Sequence, residues 1–210
     1  KRTIYGESIG DANNHRTRVF QSFDGAGLVT SEAYDFKGNL LRSKRELLSD
    51  YKQAVNWLQS QQTEDGAFTS LTSYDALNRP VTVTTPDQSV YRPAFNEANL
   101  LDTVEVNLRG EKDDQQNPKW TTFVANVNYN TRGQRELVTY GNGAQTVYQY
   151  DPLTFRLMKM TTTRTPNPDI IASQLFKTAT LAQDLRYAYD PAGNIIRIED
   201  AALKTIFHNG

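Results

Sequence analysis

At 210 residues the chain is long enough for one large domain or two small ones. It carries 23 basic and 24 acidic side chains, so no excess of positive charge supports a nucleic-acid partner. It has no cysteine, which excludes disulfides, thiolate metal sites and a cysteine nucleophile. No apolar run approaches the ~20 residues of a membrane-spanning helix, so no direct membrane insertion is expected. The start at Lys1 and the stop inside "FHNG" give the expectation of a piece of a much longer chain. Apolar content is a lean 38%, and 11 Tyr and 9 Phe supply much of it. Aromatic residues of that kind favour strands.

Read along the chain, one short pattern recurs. An aromatic residue is followed by Asp or Asn, and a Gly or Asn stands at the fourth position after the aromatic. The first two instances are Phe23, Asp24 and Gly27, then Tyr34, Asp35 and Gly38. The third and fourth are Tyr74, Asp75 and Asn78, then Phe95, Asn96 and Asn99. Tyr129, Asn130 and Gly133 follow, then Tyr150 and Asp151, and finally Tyr189, Asp190 and Gly193.

The pattern reads as a turn. Asp or Asn at its first position can accept hydrogen bonds from backbone N–H groups further round. Pro152 and Pro191 fall at the second position, where a fixed φ suits it. The Gly or Asn supplies a left-handed residue, as in a type I turn followed by a bulge. Thr154 stands at that place after Tyr150, and a β-branched residue resists positive φ, so this turn is expected to take another geometry. Phe23 and Phe95 in place of Tyr imply that the ring matters there more than the hydroxyl.

The flanks alternate as strands do. Tyr148 and Tyr150 share a face, as do Tyr187 and Tyr189, and "RPVTVTT", "LLDTVEV" and "NIIRIED" follow turns. A second turn follows in "TPDQS" (85–89) and in "YGNGA" (140–144), where Asn142-Gly143 is a strong hairpin signal. The tile is therefore turn, strand, turn, strand. It spans 21 residues from Tyr74 to Phe95 and again from Tyr129 to Tyr150. Longer intervals imply insertions at about 43–67, 109–120 and 165–183. In the first, Leu47, Leu48, Tyr51, Val55 and Leu58 recur at helical spacing, which predicts a helix over 44–60, capping the wall or docking a partner through Tyr51 and Trp57. An extended excursion along the wall is the competing arrangement.

"YDFKGNL", "YDALNRPVTV" and "YDPAGNIIRIED" resemble the repeat of the Rhs, or YD-repeat, proteins. The longer stretches "AYDFKGNLLRS", "VNYNTRGQRELVTYGNG" and "LRYAYDPAGNIIRIED" are most similar to the B component of bacterial insecticidal toxin complexes, the Tc toxins. The resemblance implies an all-β fold in which YD-repeat hairpins stack into a spiral sheet, a segment of a hollow shell wall. It further implies a non-catalytic role in a secreted complex, or at the bacterial cell surface. Its partners would be other YD-repeat segments of the same chain, a C-type toxin-carrying component, an A-type pore component and an enclosed polypeptide cargo. The alternative is a cell-surface module that binds carbohydrate or protein through exposed Tyr and Trp.

No catalytic, cofactor or metal residues are expected. His15 and His208 lack metal-ligand spacing, and Asp113 and Asp114 lie in a polar run with Glu111 and Lys112 that reads as a solvated loop. "GNG" at 141–143 lacks the ending of a phosphate loop. Rhs core domains carry a self-cleavage motif of the Asp-Pro-x-Gly type, with an upstream proline and a following Leu. Here Leu185 and Asn194 occupy those places, so Asp190–Gly193 reads as a repeat turn. The purified chain should therefore keep its intact mass on long incubation. A break near Asp190 that disappears in Asp190→Asn would refute this.

Overall fold

The computed structural model describes residues 2–165 and 180–202. Two compact units partition the chain: Lys1–Pro93 with Val106–Trp120, and Ala94–Glu105 with Thr121–Gly210. In the first, β1 (Arg2–Tyr5), β2 (Val19–Asp24), β3 (Gly27–Tyr34), β4 (Leu40–Leu47), β5 (Phe68–Tyr74) and β6 (Pro80–Thr84) pair antiparallel in chain order. The start of β7 (Val90–Phe95) pairs with β6. β8 (Leu101–Asn107) opens in the second unit and ends in the first. The second unit continues through β9 (Thr121–Tyr129), β10 (Arg135–Tyr140), β11 (Gln145–Tyr150), β12 (Leu157–Thr163), β13 (Leu181–Tyr189) and β14 (Ile195–Asp200), again antiparallel in chain order. The all-β expectation is met. The described helices are two single 3₁₀ turns, Gly6–Ser8 and Ala12–Asn14.

Within each unit the strands pack mainly against their hydrogen-bonded neighbours. Burial is correspondingly shallow: among the described residues only Leu48, Val106, Val127 and Val138 are buried large apolar side chains, and of these only Val106 is fully so. Stability must then come from ladder hydrogen bonds and cross-strand pairs rather than from a deep core. Val127 sits opposite Val138, Tyr148 opposite Met160, and Tyr187 opposite Ile198. Thr146 faces Thr162, and their hydroxyls are 2.9 Å apart.

The register shifts immediately before the repeat aromatic at Tyr34, Tyr74, Tyr150 and Tyr189. Tyr34 pairs with Leu40, Tyr74 with Pro80, Tyr129 with Arg135 and Tyr189 with Ile195, all at the same offset. Tyr150 pairs with Leu157, one residue further on. The turn after Tyr150 is thus longer by one residue. Its left-handed position falls on Phe155 (φ 59°) and spares Thr154. The conflict at Thr154 is resolved by an insertion, not by strain.

The helix expected over 44–60 does not form. Lys44–Leu47 complete β4, which pairs with β3 on one side and β5 on the other. A helix there would leave both neighbouring edges unpaired, a far larger loss than helical propensity can offset. The excursion therefore begins after Leu47, not at residue 43. It is closed by the Leu48–Thr63 bridge and by Ser49 N–H donating to the Gln62 carbonyl at 3.1 Å. Of the apolar stripe, Leu48 is buried while Tyr51 and Leu58 are 72% and 87% exposed, so helical spacing has no bearing on which side chains are covered. Trp57 anchors the excursion. Its ring lies 4.9 Å from that of Phe23, and its Nε1–H donates to the Asp24 carbonyl at 2.8 Å. The 109–120 insertion carries a small hairpin, with Lys112 bridged to Pro118. Of the 165–183 insertion, 166–179 lie outside the described residues, and Leu181–Gln183 belong to β13.

Trp57→Phe should cost about 1 kcal/mol through the lost indole hydrogen bond, and Trp57→Ala clearly more. Urea unfolding of the two variants against the parent checks the order.

Candidate functional site

The repeated turns and the strand ends beside them are the most regular polar structure in the molecule. In five of the seven the frame is the same. The second residue donates its N–H to the carbonyl four residues on, as Asp35 does to Asn39 at 2.9 Å, Asp75 to Arg79 at 3.0 Å and Asn96 to Leu100 at 2.9 Å. Asn130 donates likewise to Gln134 at 2.9 Å and Asp190 to Asn194 at 3.0 Å. The left-handed residue is Gly38 (φ 99°), Asn78 (63°), Asn99 (64°), Gly133 (76°) or Gly193 (100°). The side chain of the second residue fills the turn. Asp75 Oδ1 accepts from the N–H groups of Leu77 at 2.8 Å and Arg79 at 3.0 Å. Asn130 Oδ1 accepts from Arg132 at 2.9 Å and Gln134 at 3.0 Å. Toward the backbone N–H groups an amide and a carboxylate are interchangeable, because one acceptor oxygen serves them; the second oxygen of Asp75 takes Arg79 Nε–H at 2.7 Å.

The two remaining turns depart from the frame. Asp151 closes its longer loop onto Arg156, and its Oδ1 accepts from Leu153 and Thr154. Asp24 pairs directly with Gly27 across a two-residue turn, and Arg45 grips both of its carboxylate oxygens at 2.9 and 2.8 Å. Gly27 is thus not the bulge residue its spacing suggested. It is needed for close approach, since a Cβ there would stand 2.1 Å from the Glu46 carbonyl oxygen.

The tyrosines do something that sequence alone did not reveal. Each of four hydroxyls reaches back to the carbonyl of the first residue in the preceding strand. Tyr34 donates to Val19 at 2.6 Å, Tyr129 to Leu101 at 2.6 Å, Tyr150 to Arg135 at 2.9 Å and Tyr189 to Leu157 at 2.7 Å. The hydroxyl therefore joins neighbouring strands at the turn edge, beyond the ring packing expected of it. Phe23, which has no hydroxyl, is held against Trp57 instead.

A second link runs forward. The residue just before that strand reaches the next turn. Arg18 and Arg156 each lie 5.6 Å over the rings of Tyr34 and Tyr189. Arg156 also donates to the Asp190 carbonyl at 3.1 Å, and Gln134 to the Phe155 carbonyl at 2.8 Å. Asn39 donates to Asn78 Oδ1 at 2.9 Å. The sequence signal was present, as a polar residue immediately after most of the turns (Asn39, Arg79, Gln134, Arg156 and Asn194), but no rule of turn chemistry picks it out.

The remaining sequence candidates serve structure. His15 is buried, with Nδ1 and Nε2 each 2.7 Å from the carbonyl oxygens of Ala12 and Ser31, so neither nitrogen is open to a metal. His208 lies outside the described residues. Asp113, read as part of a solvated loop, forms the same turn as the repeats: Oδ1 accepts from Gln115 and Asn117 at 2.9 Å, and Gln116 is left-handed. No cluster of three or more metal-ligating side chains occurs among the described residues.

No family model matches the chain. Toxin subunit YenC1 of Yersinia entomophaga is 30% identical over 203 residues, covering 93% of this chain and 19% of the relative. Toxin subunit YenC2 of the same organism is 28% identical over 195 residues, covering 88% of this chain and 19% of the relative. The crystal structure of TcdB2-TccC3 superposes with a TM-score of 0.71 at 26% identity, over 97% of this chain and 9% of that one. Over nearly its whole length the chain is similar to these toxin-complex subunits, in keeping with the YD-repeat pattern of its sequence. It spans about a fifth of the curated relatives it matches. The Photorhabdus luminescens Tc holotoxin pore gives the same TM-score and coverage.

The YD-repeat turns set the electrostatics of this edge. Backbone N–H groups, led by that of Arg79, hold the Asp75 carboxyl below its ordinary value of 3.8. The N–H of Thr154 does the same for Asp151, and the side-chain amide of Asn194 for Asp190. At Asp35 desolvation pushes the other way, but hydrogen bonds from Asn39, Gly38 and Lys37 outweigh it. A depressed folded value means stability that is present above 3.8 and lost as pH falls through the folded value. Urea midpoints should therefore drop on acidification below about pH 4, and Asp75→Asn should shrink that drop. An unchanged acid sensitivity would count against it.

Gly133→Val forces a β-branched residue to positive φ and should cost about 1–3 kcal/mol. Tyr129→Phe removes one hydrogen bond worth about 1 kcal/mol. Denaturant melts should rank them in that order. The reverse order would mean that the hydroxyl belongs to a larger network than the Leu101 bond.

Proposed function

We propose that the chain is a stretch of shell wall in a secreted toxin complex, and that the complete shell encloses a polypeptide cargo. The observation that carries this reading is the use to which the repeat's polar groups are put. Turn carboxylates and amides hold backbone N–H groups, and tyrosine hydroxyls hold strand carbonyls. These groups are committed to building a wall and not to chemistry. The toxin-subunit relatives and the B–C assemblies of known structure support the same reading. The resemblance of the sequence is to a B component, while the curated relatives bear C-type names. Which of the two contains this stretch is decided by whether the intact protein binds an A-type pore component directly or only through a partner chain.

The test uses the full-length protein produced with its partner component. The enclosed polypeptide should resist added protease while the shell is intact. It should become accessible when Tyr129→Phe and Tyr189→Phe are combined with Gly133→Val. Cargo digested equally fast with and without the intact wall would sink the proposal.

The carbohydrate-binding alternative draws on one feature. An open groove of about 710 Å³ is lined by Phe123, Tyr140, Asn142, Thr121, Thr122 and Thr146, among others, with no charged side chain. That reading requires glycan binding that is lost in Phe123→Ala.

A further inference from the structure

We infer that Asn142 is a site of spontaneous covalent modification in the folded wall: deamidation through a succinimide. The turn Tyr140–Ala144 is closed by Tyr140 N–H donating to the Ala144 carbonyl at 2.8 Å and Gly143 N–H donating to the Tyr140 carbonyl at 2.9 Å. Asn142 is exposed at its tip, and its Oδ1 accepts from Ala144 N–H at 3.0 Å. Gly143 (φ 81°) has open space where a side chain would stand, its nearest neighbour there being Thr165 Oγ1 at 3.5 Å.

In the reaction the backbone nitrogen of Gly143 attacks Cγ of Asn142. A C–N bond forms, the Cγ–Nδ2 bond breaks, and ammonia leaves with the proton from the glycine nitrogen. Water then opens the five-membered ring at either carbonyl, giving aspartate or isoaspartate. The attack needs a nitrogen unshielded by a side chain. Among the described asparagines only Asn142 has glycine after it: Asn78 is followed by Arg79, Asn99 by Leu100, Asn130 by Thr131 and Asn194 by Ile195.

The two products have opposite consequences. Aspartate keeps the acceptor oxygen and gives the turn the side chain that Asp87 supplies at the same place in the Thr85–Ser89 turn, where its Oδ1 accepts from Ser89 N–H at 3.1 Å. Isoaspartate lengthens the main chain by one atom at the tip and moves the acceptor away from Ala144 N–H. The turn also rests on β9, because Gly141 N–H donates to the Phe123 carbonyl at 3.1 Å. Isoaspartate formation thus loosens β10 and β11 where they meet the start of β9.

The experiment is peptide mapping of the full chain after incubation at mildly alkaline pH, with enzymatic methyl labelling of isoaspartate. A gain of about 1 Da is expected in the peptide holding Asn142, with isoaspartate label, and is lost in Asn142→Gln. Incubation in urea, where the turn's hydrogen bonds are gone, should speed it. Equal conversion at Asn78 or Asn99 would overturn the assignment. So would conversion of Asn142 in urea alone, since the folded wall would then protect it.

Discussion

A five-residue turn leaves backbone N–H groups that its own carbonyls cannot reach, and a wall built of many such turns meets that problem at every one. The chain solves it with a single oxygen, on Asp or Asn, placed at the turn's first residue. An unsatisfied N–H costs more than a typical hydrogen bond contributes, so the acceptor position is constrained while its charge is not. The strands that follow inherit their register from this closure. Tyr34, Tyr74, Tyr129 and Tyr189 all pair at one offset because their turns are all the same length.

The hydroxyls of Tyr34, Tyr129, Tyr150 and Tyr189 then tie their turns to the strand before. This matters because little else does. With four buried large apolar side chains among the described residues, hydrophobic burial cannot by itself fix where one strand lies against the next. Directional bonds to main-chain carbonyls can. The cost is sensitivity to acid, since most of the turn acceptors are carboxylates held ionised by their surroundings.

Much of this was legible in the sequence. The aromatic–Asp–x–x–Gly spacing located the turns, and alternation located the strands, because both are local consequences of backbone sterics. Gly27 was misread because a glycine that closes a two-residue turn against Glu46, at φ 148°, looks the same in sequence as the bulge glycine of the longer turns. The helix over 44–60 was misread because local propensity is weak beside two open strand edges. The back-reaching hydroxyls of Tyr34, Tyr129, Tyr150 and Tyr189 were invisible for another reason. Their partners are carbonyls, which every residue possesses, so no second residue type marks the contact.

That last property has an evolutionary consequence. The tyrosine that reaches back finds a carbonyl whichever residue opens the neighbouring strand, be it Val19, Leu101, Arg135 or Leu157. The joint does not read its neighbour's sequence. A tile can therefore be duplicated, deleted or exchanged by recombination without a matching change next door. Walls of this kind can change length in single genetic steps.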